Sequence, residues 1–164
     1  VISAKAGGKI TRKRKCGLPS ITPRIMNGTV TPIENYPWMV KVIMIYEGEE
    51  DFCGGSLITP RHVLTAAHCF YSDDTKLTKI TINYGSAKGT GGKKMPVKGY
   101  YCHEKFNIQT GRNDIALLLL SKPVKVSPQS RPICLPESKP KIVGTTVTVA
   151  GWGHTKESKG FVKS

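Results

Sequence analysis

With 164 residues and 38% hydrophobic content, the chain has the material for one ordinary domain, and no apolar run approaches the ~18 residues that a membrane-spanning helix needs. Its 25 Lys and Arg against 11 Asp and Glu leave a formal charge of +14, which favours acidic or polyanionic partners. Nucleic acid is not expected among them, because neither a helix nor an aromatic platform accompanies the basic residues.

The chain opens on Val1, and its first fifteen residues hold six Lys or Arg with no apolar stretch of the signal-peptide kind. It is therefore expected to begin inside a longer product. Lys13, Arg14 and Lys15 fit three readings: a solvated linker, which charge blocks usually are, a site for heparin-like polyanions, or a dibasic cleavage point. Residues 1–24 together read as a basic pro-segment or linker, punctuated by Gly and Pro. Asn27-Gly28-Thr29 is an N-glycosylation sequon, which makes Asn27 a candidate acceptor.

From Trp38 onward, short β-branched and aromatic runs alternate with turn clusters, the pattern of an all-β barrel or sandwich. Strands are expected over 38–46, 52–58, 62–66, 79–84, 95–102 and 115–121. Glu47-Gly48-Glu49-Glu50-Asp51 reads as an acidic hairpin turn, either solvated or an exosite for a basic partner. Residues 84–94, rich in Gly and Lys, form a long basic loop. No Asp or Glu lies between Lys76 and Tyr101, so a hard cation such as calcium finds no carboxylates there. A Pro-rich connector covers Lys122 to Pro136. Beyond it, alternating Val and Thr across 143–153 predicts one more strand, with no partner in view.

Five cysteines stand at 16, 53, 69, 102 and 134, without the Cys-x-x-Cys spacing of a zinc site. Disulfides and an oxidising compartment are the expectation, with no metal and no cofactor. Chemistry concentrates in two stretches. Thr65-Ala66-Ala67-His68-Cys69 carries a histidine among small residues that permit a tight turn, and Asn113-Asp114-Ile115-Ala116-Leu117-Leu118 carries an aspartate ahead of an apolar strand. An imidazole that moves a proton needs a carboxylate to fix its tautomer, and these residues offer that pair.

Together with Phe52-Cys53-Gly54-Gly55-Ser56-Leu57-Ile58 and Gly151-Trp152-Gly153, all in one order, these motifs resemble the trypsin/chymotrypsin family of serine proteases. The resemblance implies a double antiparallel β-barrel, with the first barrel complete over 25–121, a connector over 122–142, and only the opening strand of the second barrel within 143–164. It implies catalytic roles for His68 as general base and acid and for Asp114 as the carboxylate that orients it. Disulfides Cys53–Cys69 and Cys16–Cys134 are implied too, the first closing a loop of about seventeen residues worth on the order of 3 kcal/mol. Cys102 is left as a buried thiol or as the partner of a cysteine elsewhere.

Pro23-Arg24-Ile25-Met26-Asn27-Gly28 is similar to a zymogen activation junction, with cleavage between Arg24 and Ile25, although Met26 and Asn27 depart from the family's Ile-Val-Gly-Gly. The nucleophile's setting, Gly-Asp-Ser-Gly-Gly, is absent from residues 1–164, and Ser56 matches a structural strand position. The expectation is the amino-terminal part of a secreted serine endopeptidase zymogen, inactive as the 164-residue chain alone. Its implied partners are protein substrates, an activating trypsin-like protease, serpin-type inhibitors and heparin-like polyanions. The alternative is a catalytically inactive homologue with a binding or regulatory role.

Overall fold

The computed structural model describes residues 2–4, 16–17, 31–71, 75–138 and 142–152. Eight strands run in chain order: β1 (Ile2–Ala4), β2 (Met39–Tyr46), β3 (Glu49–Thr59), β4 (His62–Thr65), β5 (Leu77–Tyr84), β6 (Lys93–Cys102), β7 (Ala116–Leu120) and β8 (Val147–Val149). Six of them close a barrel in the order β2-β3-β4-β7-β6-β5, every neighbouring pair antiparallel. Closure removes free sheet edges and leaves one interior to fill.

The interior is filled by alternation. On β2, Val40, Val42 and Met44 point inward, and on β7 Leu118 and Leu120 do so, joined by Leu57, Val63 and Ile82 from three other strands. Each is essentially sealed from water, and a side chain of this size contributes roughly 1.5–3 kcal/mol on burial. Gly55 is the exception that lets the strands close. A Cβ there would stand 2.8 Å from Val63 Cγ1 and 3.1 Å from Val40 Cγ2 and Val42 Cγ2, distances that a packed core does not accommodate.

The β2–β3 turn is tighter than the acidic pentapeptide suggested. Only Glu47 and Gly48 form it, both with positive φ, while Glu49, Glu50 and Asp51 already pair with Tyr46, Ile45 and Met44. The 84–94 segment becomes a loop of residues 85–92 that folds back on β5, where Asn83 Nδ2 donates to Gly89 O at 3.1 Å.

The connector returns along the barrel rather than leaving it. Val124 N donates to Pro60 O at 2.7 Å, Arg131 N to Pro37 O at 2.9 Å and Ile133 N to Leu57 O at 2.8 Å. The disulfide Cys16–Cys134 ties a segment 118 residues upstream to this connector, and Gly17 N adds a bond to Pro132 O. The strand expected to stand alone is shorter than its sequence run and has a partner: β8 pairs antiparallel with β1, Ile2 against Val149 and Ala4 against Val147. The physical reason is that an open ladder recruits any extended, uncharged segment, and Ile2-Ser3-Ala4 lies just ahead of the lysine-rich run. Trp152 then docks this end on the barrel, donating from Nε1 to Ala87 O at 2.8 Å with its ring against Gly89.

Candidate active site

The site is made where β4 and β7 end side by side, Thr65 opposite Ala116. At the close of β4, buried Thr65 donates from Oγ1 to Gly54 O at 2.8 Å, which ties the strand end to β3. Ala66 and Ala67 then let the chain turn close to the barrel, Ala67 being only 1% exposed. A single 3-10 turn over His68–Phe70 follows, with Phe70 N donating to Ala67 O and Tyr71 N to His68 O.

Three contacts hold that turn. Cys69 is bonded to Cys53 of β3. Tyr46, at the end of β2, donates its hydroxyl to Cys69 O at 2.8 Å. Phe70 stacks on Tyr100 of β6 with ring centroids 4.8 Å apart. His68 therefore sits on backbone fixed by three different strands.

Asp114 comes from the loop between β6 and β7, which is shaped by its own hydrogen bonds. His103 N donates to Ile115 O at 3.0 Å and closes the loop at its base. Asn107 Oδ1 accepts from the Thr110 N–H and hydroxyl, and Asn107 pairs with Arg112. Asn113 adopts φ of 58°, a left-handed conformation that Asn tolerates better than most residues, and its Nδ2 donates to Lys105 O at 2.8 Å. Ile115 N reaches back to Asn113 O at 2.8 Å, so Asp114 is the apex of a three-residue turn.

The two segments meet at a two-point contact. Asp114 Oδ1 accepts from the backbone N–H of His68 at 2.8 Å, and Oδ2 faces His68 Nδ1 at 2.6 Å. Burial would raise the Asp114 carboxyl, but the hydrogen bonds from the His68 ring and backbone, the charge of that ring and the Ala67 N–H outweigh it and hold the carboxyl below its ordinary 3.8. Asp114 is thus an ionised acceptor at neutral pH. It keeps the ring proton on Nδ1 and leaves Nε2 as the acceptor. The Asp114 side chain is half-buried, at 28% exposure, and the His68 ring is 55% exposed.

The other histidines, Ser56 and Cys102 fall elsewhere or play no part in this contact. His62 lies beside Thr59 at the β3–β4 turn, its Nδ1 2.8 Å from Thr59 Oγ1, and His103 Nδ1 accepts from Lys105 N. Ser56 is buried within β3, in register with Met39 and Leu64. Cys102 is a free, half-buried thiol that burial, and secondarily the nearby Asp114 carboxylate, pushes up. Cys53, His68 and Cys69 bring three ligand-type atoms within 4.8 Å of one another, but both sulfurs are spent in the disulfide and cannot serve as thiolate ligands. Arg24, Ile25 and Asn27 lie outside the described residues, as do Lys5 to Lys15 and His154. Sequence reasoning passed over Tyr46 and Asn113. Only the second left a signal, an Asn immediately before the aspartate.

With this geometry in view, the comparisons decide the family. The trypsin family model matches residues 25–164. The chain belongs to the trypsin family. It is 38% identical to serine protease 56 of Homo sapiens over 132 residues, which is 79% of this chain and 21% of that protein. It is 37% identical to trypsin iota of Drosophila melanogaster over 134 residues, 82% of this chain and 51% of that one. Among solved structures, the scabies mite inactivated protease paralogue S-I1 superposes with a TM-score of 0.61 at 38% identity, covering 71% of this chain and 52% of that chain. The chain thus spans between about a fifth and about a half of the curated relatives it matches. The likeness fits the all-β architecture: β2 to β7 form one closed six-stranded barrel, and β8 lies outside it, paired with β1.

Proposed function

We propose that this chain is the amino-terminal part of a secreted trypsin-like serine endopeptidase zymogen that hydrolyses peptide bonds in protein substrates. The observation that supports it is the two-point seat of the Asp114 carboxylate on His68. With the ring proton held on Nδ1, Nε2 takes the proton of a serine hydroxyl as its oxygen attacks the scissile carbonyl carbon. The imidazolium then passes that proton to the leaving amine as the C–N bond breaks. Asp114 stays ionised throughout, orienting the ring and stabilising its cationic form.

The serine and its oxyanion donors belong, on this reading, to a further segment of the protein, since Gly-Asp-Ser-Gly-Gly does not occur in residues 1–164. The 164-residue chain alone is accordingly inactive. Residues 1–24 act as the pro-segment, 25–121 as the first barrel, 122–142 as the connector and 143–164 as the start of the second barrel. An activating trypsin-like protease cleaves after Arg24 to free Ile25, and the Cys16–Cys134 bond keeps the pro-segment attached afterwards. A glycan at Asn27, two positions beyond Ile25 in the sequence, hinders the cleavage. Serpin-type inhibitors are the expected regulators of the mature enzyme. Two disulfides support an oxidising, extracellular setting, and no helix among the described residues is long and apolar enough to cross a membrane.

A second reading has one observation in its favour. Solved structures that superpose on this chain include inactivated protease paralogues of the scabies mite, so a binding or regulatory homologue without a nucleophile fits the same fold. One experiment separates the two. The transcript is read beyond Ser164, the encoded product is expressed and cleaved after Arg24, and hydrolysis of peptide amides is measured. The expected result is an in-frame Gly-Asp-Ser-Gly-Gly and an activity that His68→Ala lowers by roughly a millionfold. A stop codon after Ser164, or a product with no hydrolysis, replaces the protease reading with the second.

A further inference from the structure

The catalytic pair occupies one end of the barrel, and an unexplained concentration of charge occupies its flank. From Lys76 through Tyr101 the sequence places six lysines and no acidic residue. Charge of one sign on adjacent strands is self-repulsive, so the density calls for a reason other than stability.

The register shows where the charge goes. Val42, Ile82 and Met95 lie side by side in the interior layer, so the rows beside them face outward. One outward row holds Lys41, Asn83 and Lys94, and the next holds Phe52, Ile43, Thr81 and Pro96. Two residues further along β2, Ile45 pairs with Lys79 on one side and Glu50 on the other. Lys98 sits at the bulge of β6 and is exposed, and Lys88 is exposed on the loop that folds over Asn83. From strand geometry, Lys41 and Lys94 stand about 10 Å apart across β5, and Lys94 and Lys98 about 13 Å apart along β6.

Among the described residues none of these lysines forms an ion pair with Asp or Glu. Lys41 is instead held over the Phe52 ring, 4.0 Å from its centroid. Glu47 of the β2–β3 turn and Glu49 to Asp51 of β3 lie at one end of the same face, with Glu50 in the row of Lys79, so an anionic chain is directed from Lys79 toward Lys94 and Lys98 and away from that end.

We propose that the outer face of β2, β5 and β6 binds a sulfated polysaccharide, with Lys79, Lys94 and Lys98 as its main contacts. The exposed lysines are spread around a face whose middle, Asn83 and Ile43, is buried, rather than gathered in a pocket, which suits a linear polyanion carrying many charges and not a single small anion. Sulfated rather than nucleic polymers are favoured because the proposed function sets the chain outside the cell, a setting that its two disulfides support. The surface uses neither His68 nor Asp114, nor any residue of the basic run between Lys5 and Lys15.

The test is calorimetric titration of the protein with a heparin dodecasaccharide at several salt concentrations, with desulfated heparin and single-stranded DNA as comparison probes. Replacing Lys79, Lys94 and Lys98 together by Gln is expected to weaken heparin binding by about 30-fold or more and to flatten the log K against log salt slope by about two to three. The triple Arg variant, which keeps the charge, is expected to stay within about threefold of wild type, which separates lost charge from a damaged fold. Gln at Lys13, Arg14 and Lys15 is expected to cost less than the barrel variant. The proposal is overturned if the barrel Gln variant binds as wild type does, if the loss follows the tail variant instead, or if DNA or desulfated heparin binds as tightly.

Discussion

The turn that carries His68 and the loop that carries Asp114 meet at one contact but are held by different means. The His68 turn is short and tied from outside: a disulfide to β3, a tyrosine hydroxyl from β2 and a stacked ring from β6. The Asp114 loop is longer and tied from within, by hydrogen bonds between its own residues and one left-handed Asn. A base whose ring must stay put while protons pass gains from a covalent tether. A carboxylate that only has to face that ring is served by a loop that can settle against it, and its two oxygens supply the alignment. Altering each side in turn separates these roles.

On the carboxylate side, the largest effect is expected from Asp114→Asn. In the complete protease of the proposed function, the amide favours the wrong ring tautomer and kcat is expected to fall about 10⁴-fold. The chain itself offers a second readout. Because the folded carboxyl lies below its ordinary 3.8, it stabilises the fold above that value and loses the contribution as pH falls through the lower, folded value. Wild type is therefore expected to lose stability relative to Asp114→Asn as the pH drops below about 4, in urea unfolding followed across that range. A constant gap between the two proteins at all pH values contradicts the assigned shift.

Next in size is the covalent tether. Replacing Cys53 and Cys69 by Ala opens a loop between cysteines 16 residues apart, at an expected loss of about 3 kcal/mol in denaturant unfolding. The comparison predicts where the damage shows. Amide hydrogen exchange should quicken at Cys69 to Tyr71 and remain near wild type at Thr110 to Ile115, whose bonds do not pass through the disulfide. Equal acceleration in both segments contradicts the division between outside and inside ties.

How much of this was legible beforehand follows the same division. Hydrophobic alternation located the barrel strands closely, as with 38–46 against the observed Met39–Tyr46 and 62–66 against His62–Thr65. It missed strand ends made of charge: β3 starts at Glu49 and β6 at Lys93, because ladder hydrogen bonds form through the backbone whatever the exposed side chain carries. His68 and Asp114 were singled out by local motif and by family order. The bond from Tyr46 to Cys69 crosses 23 residues and two strands, and no local pattern announces it. The pairing of β1 with β8 was equally hidden, since three residues at one end of the chain hold too little pattern to signal a strand. Asn113 lies between these cases, with a residue type suited to positive φ and no way to know that the position needed it.

That intermediate case gives the smallest and most specific effect. Asn113→Ala places a Cβ-bearing residue with no side-chain hydrogen bond at φ of 58° and removes the bond from Nδ2 to Lys105 O, for an expected loss of about 1–2 kcal/mol. Asn113→Gly removes the same bond but accepts the conformation freely, so it should recover about 1 kcal/mol of the loss. The ordering Asn, then Gly, then Ala is the signature of a turn that depends on backbone conformation. If Ala and Gly prove equally destabilised, the side-chain bond carries the turn instead. In either case the barrel core lies on other strands and should not respond, so the effect ought to appear as faster exchange at Asp114 and Ile115 while Leu118 and Leu120 keep their protection.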